Sequence, residues 1–211
     1  MRTVHYFTVA LLAAAAFVAA CGDDDDETGG TATSTPAPSP TGELQHISSE
    51  EFSPALSLDA GSGWTVAVDN RDIFVLEHQS DDSGPQGGIV IFRPLAVYAA
   101  DGIQQEPVPA DLVAWMESHP RLIVRDRQDA VVGGLSGVRL DVESDQEESW
   151  RLFENSDGPF EVRYSDRIRF EIMDGPDGQI ILSIDAADQP LRLEQVLAIA
   201  GPIVESIEFA P

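Results

Sequence analysis

The chain has 211 residues, 43% of them hydrophobic and 7% aromatic, enough apolar material for one buried core and hardly enough for two. Its formal net charge is -25 at pH 7, and all 12 basic residues are arginine. The absence of lysine excludes a Schiff base or a P-loop lysine, and so negative a field repels a nucleic-acid backbone or an anionic lipid surface. We therefore expect no nucleic-acid partner and no cofactor. The single cysteine, Cys21, cannot close an intramolecular disulfide, and no Cys/His spacing suits a zinc site.

Residues 1–20 open with Arg2 and continue as an uncharged 14-residue stretch, "FTVALLAAAAFVAA". That is shorter than the roughly 20 residues a spanning helix needs, so it reads as the apolar core of a signal peptide. It ends Val18-Ala19-Ala20-Cys21. This resembles a bacterial lipobox, and the resemblance implies diacylglyceryl attachment to the Cys21 thiol, cleavage before Cys21, and acylation of the new amino terminus. Stable anchoring needs more than one acyl chain, which fits that chemistry. The alternatives are a non-lipidated secretory signal with an incidental cysteine, or a cysteine buried in a helix.

Residues 21–43, "CGDDDDETGGTATSTPAPSPTGE", are charged and rich in Gly, Ser, Thr and Pro. Such a segment cannot bury enough surface to fold, so it reads as a disordered linker. A coil of this length spans about 25–30 Å. The aspartate run lacks a glycine-punctuated ligand loop and reads as a solvated spacer.

From residue 44 to residue 211 the pattern is that of a single globular domain. "GWTVAVDN" and "DIFVLEH" predict two strands around an Asn70-Arg71 turn. "GGIVIFRP", residues 87–94, is a continuous apolar run and predicts a strand buried on both faces. Pro107 and Pro109 introduce a helix through "ADLVAWMESHP", with Leu112, Trp115 and Met116 at helical spacing and Pro120 as its stop. Beyond it, "RLIVRDR", "LSGVRLDVES", "SWRLFEN", "PFEVRYS", "RIRFEIMDG" and "QIILSIDA" predict an antiparallel meander. A closing helix from near Pro190 turns Leu193, Val196, Leu197, Ala200, Val204 and Ile207 inward, with a kink or interruption expected at Gly201-Pro202. The class is α+β, a mostly antiparallel twisted sheet packed against helices.

The "GW" strand, the "PADLVAWMESHP" helix, the "VGGLSGVRLDV" segment and the closing "VESIEF" together resemble the PsbP-like group of small bacterial lipoproteins, the mycobacterial LpqN type among them. The resemblance covers roughly residues 50–210 and rests on the order of elements. It implies a twisted antiparallel sheet flanked by helices in a PsbP-like sandwich, and a non-enzymatic accessory or binding role. It brings no catalytic residues. Several late strands alternate cleanly between apolar and polar, which predicts one open sheet face where the family would cover both.

The remaining chemistry-bearing residues each have a plain structural reading. "GGLSGVRL" around Ser136 fails the nucleophile-elbow spacing, because Gly137 follows the serine directly, and it predicts a glycine-rich turn into a strand. His78 with Asp81 and Asp82 could hold a metal, but the spacing matches no ligand motif and solvated loop residues are the default. His119 is expected at a helix C-terminus, favoured there by the dipole. Trp64 and Trp115 are expected in the core, while Trp150 is left open. In "FEVRYS" and "RIRFEIM" alternation turns Phe160, Val162, Tyr164, Ile168, Phe170 and Ile172 inward and Arg163, Arg167 and Arg169 outward, with Glu161 and Glu171 on that outer face. Cross-ladder pairing is the default for these charges. The functional alternative is a basic island, joined by Arg151 if the register allows, that receives an anionic ligand or an acidic partner.

We assign no catalytic or metal-binding residue. The function expected from the sequence is a cell-envelope lipoprotein held by acylated Cys21 at the outer face of the bacterial cytoplasmic membrane or in the envelope. There it acts as a binding or accessory module for an envelope protein or small molecule, the alternatives being a small envelope hydrolase and a carrier of an apolar ligand.

Overall fold

The computed structural model describes residues 44–80, 84–144, 148–163, 167–186 and 193–210. The signal segment, Cys21, the linker, Asp81, Asp82, Tyr164 and Pro190 lie outside the described residues. The element order is β1 (Gln45–Ser49), β2 (Leu56–Ala60), β3 (Trp64–Asp69), β4 (Ile73–Ser80), β5 (Gly84–Phe92), β6 (Ala96–Tyr98), β7 (Gln105–Glu106), α1 (Leu112–Ser118), β8 (Leu122–Val132), β9 (Leu135–Ser144), β10 (Trp150–Asn155), β11 (Gly158–Val162), β12 (Arg167–Gly175), β13 (Gly178–Asp185), α2 (Leu193–Ser206) and β14 (Glu208–Phe209).

Strands with no polar face need cover on both sides, and this requirement arranges the rest. The largest sheet has seven strands in the order β3-β4-β5-β13-β12-β9-β8, every pair antiparallel. On one face, Phe74, Leu76, Ile89, Ile91 and Leu182 join an apolar cluster with Leu58 of β2 and Val196 and Ile203 of α2. On the other, Phe92, Ile181, Phe170 and Leu140 join a second cluster with Leu112 and Met116 of α1 and Leu152 and Phe153 of β10. Burial of each such side chain contributes about 1.5–3 kcal/mol relative to exposure. The first cluster is closed by α2 and the three-stranded sheet β1-β2-β14. The second is closed by α1 and the four-stranded sheet β11-β10-β6-β7. The described residues are thus mostly antiparallel sheet with two helices, more sheet-rich than a balanced α+β sandwich.

Two expectations need correction. The late strands are not one meander, because β9 pairs directly with β12, Leu140 opposite Phe170, and the β10–β11 hairpin between them joins the four-stranded sheet. The reason is cover: Leu152, Phe153 and Val162 on that hairpin are fully buried against the second cluster. The closing helix is also not interrupted, since α2 runs through Pro202. Pro202 and Ala198, whose carbonyl loses its helical donor, are both exposed, so water can serve that carbonyl. The inward set of α2 is Leu193, Val196, Ala200, Ile203 and Val204. Ile207 is buried just beyond its end.

The other expected elements fall where the pattern puts them, and β1, β2, β6, β7 and β14 are strands beyond the expected set. The Asp111 side chain accepts the Ala114 N–H at 2.9 Å and caps α1, whose buried residues are Leu112 and Met116. Gly133 and Gly134 turn β8 into β9 with φ of 57° and 83°, the left-handed region that glycine tolerates. Gly137 has a different reason to lack a side chain. A Cβ there would meet the Ile172 carbonyl oxygen at 2.1 Å, on the backbone of the neighbouring strand. Gly137→Ala should therefore lower stability by about 1–3 kcal/mol or more in urea unfolding. Gly61→Ala, whose Cβ would meet nothing within 4 Å, should stay within about 0.5 kcal/mol of the native chain.

Candidate functional site

Four connections meet at one end of the large sheet and enclose a cleft of about 470 Å³. Asp72 comes from the β3–β4 turn, Arg93, Pro94 and Leu95 from the link between β5 and β6, Val108, Pro109 and Ala110 from the link between β7 and α1, and Asp177 from the β12–β13 turn with Gly178 and Gln179 at the start of β13. The cleft is amphipathic, with carboxylates, a guanidinium and an amide among the groups facing an aliphatic wall. Among the described residues, its lining contains no histidine, serine, threonine or cysteine.

Arg93 is the fixed point of this cleft. Its backbone N–H donates to the Asp72 carbonyl at 2.9 Å, and its Nε donates to the Ser53 carbonyl at 2.7 Å. Its Nη2 is buried without a hydrogen bond and lies 3.5 Å from Oδ2 of Asp177. That separation exceeds the roughly 2.7–2.9 Å of a charge-assisted hydrogen bond. No local motif marks this constellation, since its members are up to about a hundred residues apart in the chain.

The outer-face arginines are placed in two groups. Arg167 and Arg169 on β12 lie opposite Glu143 and Asp141 of β9, and Arg139 of β9 lies opposite Glu171. Arg169 binds Asp141 through two contacts of 2.7 Å, and the hydrogen bond to Asp141, with the charge of that carboxylate, raises the guanidinium pKa against the opposing effect of burial. Glu143 bridges Arg125 at 2.8 Å and Arg167 at 3.1 Å. Arg167 also lies 3.8 Å from Glu194 in the first turn of α2. Arg151 belongs to the other sheet, on β10, where it sits 3.8 Å from Glu161 of β11, and Arg163 follows β11 and is exposed. The structure therefore brings Arg167 and Arg169 together and puts Arg151 on a separate sheet.

Glu161 and Glu171 do not share an outer face, contrary to expectation. Glu171 is only 1% exposed, because Met173, next on its face, already belongs to the cluster under α2. Arg139 donates to its Oε1 at 2.7 Å, while Oε2 is buried without a hydrogen-bond partner. Burial raises the carboxyl pKa despite the opposing pull of Arg139 and Arg169.

His119 also departs from expectation. It caps α1, but it is buried and its ring stacks on Trp150 at 4.9 Å and 6°, with Trp115 tilted against it at 4.9 Å. Desolvation lowers its pKa first, and the charge of Arg121 adds to this, so burial opposes the cation that the helix C-terminus would favour. Trp150 is a core residue whose Nε1 donates to Ser144 Oγ at 3.1 Å. Trp64 is core as well, against His78 at 5.1 Å, and burial lowers the His78 pKa. Among the described residues no group of three or more His, Cys, Asp or Glu could hold a metal ion. Ser136 is exposed at the start of β9, after the glycine turn.

No protein-family model matches the chain, and no curated protein matches it. Two solved structures are similar over most of their length. One is the crystal structure of PA94, a protein of unknown function from Pseudomonas aeruginosa, with 18% identity and a TM-score of 0.37 over 76% of this chain and 95% of that one. The other is the solution structure of cyanobacterial PsbP (CyanoP) from Synechocystis sp. PCC 6803, with 10% identity and a TM-score of 0.42 over 84% of this chain and 99% of that one. Similarity this weak carries no argument about function.

The buried histidine has a measurable consequence. Its folded pKa lies below the unfolded value of about 6.5, so the unfolded chain binds more protons as the solution acidifies. The stability held by neutral His119 is complete above about pH 6.5 and lost as pH falls toward the depressed folded value. Urea midpoints measured between pH 7.5 and 5.5 should fall less steeply in His119→Phe, which keeps the stacking and removes the titration. An unchanged slope would contradict this assignment.

Proposed function

We propose that the chain is an exported bacterial lipoprotein, anchored by acylated Cys21 to the outer face of the cytoplasmic membrane or the envelope, whose domain is a PsbP-like, non-enzymatic binding module. The anchoring half of the reading is supported by the uncharged stretch that ends Val18-Ala19-Ala20-Cys21 and by the charged, Pro- and Thr-rich segment behind it. The binding half is supported by one observation above the others. The cleft sets a fixed guanidinium and carboxylates, groups that orient a ligand, against an aliphatic wall that a small ligand can cover.

The hydrolase alternative wants a histidine beside carboxylates. The groups acting on His119 are Trp115, Trp150, Arg121 and the Tyr98 carbonyl, none of them a carboxylate. The apolar carrier wants a greasy enclosure, and the Arg93 cleft has charged groups on its wall. Radiolabelled palmitate fed to the native host should label the wild-type chain and leave Cys21→Ala unlabelled and uncleaved. A variant still cut before residue 21, or a wild-type chain that takes up no label, would overturn the anchoring half.

A further inference from the structure

We infer that the Arg93 cleft takes a small zwitterion, an apolar amino acid or short peptide whose carboxylate bonds Arg93 and whose ammonium group faces Asp72 and Asp177. This rests on the binding-module reading and names the ligand class of that site.

Three observations converge on that chemistry. The first is an unmet donor. The Arg93 side chain is 15% exposed and held by the Ser53 carbonyl through Nε, so its guanidinium is positioned before any ligand arrives. Its Nη2 makes no hydrogen bond, and the nearby Asp177 carboxylate, at 3.5 Å, is on a hairpin turn with a side chain 67% exposed. An exposed turn residue can swing aside, and a ligand carboxylate in its place would make the short charge-assisted bond that Asp177 does not.

The second is the sign of the charges. One guanidinium and two carboxylates line the cleft. A simple anion meets Asp72 and Asp177, and a simple cation meets Arg93. A zwitterion offers each its opposite, with Asp177 passing from the guanidinium to the ammonium group as the ligand seats. The third is the facing wall. Leu95, 57% exposed, with Val108 and Pro109 forms an apolar surface on which a ligand side chain can lie. A volume of about 470 Å³ lies within the range of small-molecule sites and accommodates a short peptide.

The test is calorimetric titration of the detergent-solubilised full chain with leucyl-leucine, its C-terminal amide and its N-acetyl derivative. The free dipeptide should bind saturably, and blocking either end should weaken binding by about tenfold or more, the loss expected for one charge-assisted contact. Arg93→Gln should abolish binding. Because Arg93 also anchors the Ser53 segment, the exposed Asp177→Ala supplies a second variant, in which the preference for the free amine over the N-acetyl form should shrink severalfold. Absence of saturable binding at millimolar dipeptide, equal binding of blocked and free forms, or an unchanged preference in Asp177→Ala would overturn the inference. A saturable response to a neutral sugar or a fatty acid instead would sink the zwitterion and leave the binding module standing.

Discussion

The structure depends on one constraint, that the middle strands of the large sheet have no face to show water. Ile181 and Leu182 are adjacent on β13, point to opposite faces, and are both fully buried. Antiparallel sheets commonly leave one face solvated. Here neither face can be left, so each recruits a lid of its own. One lid is α2 with the β1-β2-β14 sheet, and the other is α1 with the β10–β11 hairpin and the short strands beside it. This need draws the hairpin out of the chain-order meander and forces β9 to meet β12 across it. It also explains why a chain of modest helix content still has a three-layer cross-section.

The charged surfaces follow from where the lids stop. Toward β8 and β9 the cover given by α2 ends, and the same face that holds Leu182 on β13 holds Glu171 on β12 and Arg139 on β9. Pairing across the strands offsets part of the desolvation of these charges, of which Glu171 is buried and Arg139 partly exposed, so the arginines there arrive already paired with carboxylates. At the turn end of the sheet the situation differs. The lids leave a gap among four connections, and Arg93, tied down at Nε but not at Nη2, faces into a partly completed set of interactions. Under the proposed binding role, that unmet donor distinguishes Arg93 from the arginines of the ladder, each of which has a carboxylate within reach.

Much of the sheet was legible because burial leaves local traces. The apolar run "GGIVIF" announced β5 as buried on both faces, and the clean alternation of "RIRFEIM" announced a polar face, true at Arg167 and Arg169 and false at Glu171, where the edge of the α2 cover begins. Strand pairing was not legible. The hairpin β10–β11 alternates as its neighbours do, and only the non-local demand for a second lid sends it elsewhere. The short strands β1, β6, β7 and β14 carry too few residues for a period to show, although "LSLDA" in β2 has its buried Leu56, Leu58 and Ala60 at strict alternation. His119 reads as a helix end in sequence, and its burial comes from Trp150, some thirty residues further on. The cleft left no trace because its members meet only through the topology, whereas the lipobox-like Val18-Ala19-Ala20-Cys21, on which the anchoring proposal rests, is local and spans four letters.

If the central sheet is the shared wall of both apolar clusters, the clusters cannot melt separately. Native-state hydrogen exchange in rising urea measures this directly, by comparing amides of α2 and β2 on one side with those of α1 and β10 on the other. The account predicts that their slowest-exchanging amides converge on one opening free energy, shared with β12 and β13. Two well-separated opening energies, with one lid and its cluster lost while the other stays protected, would contradict it.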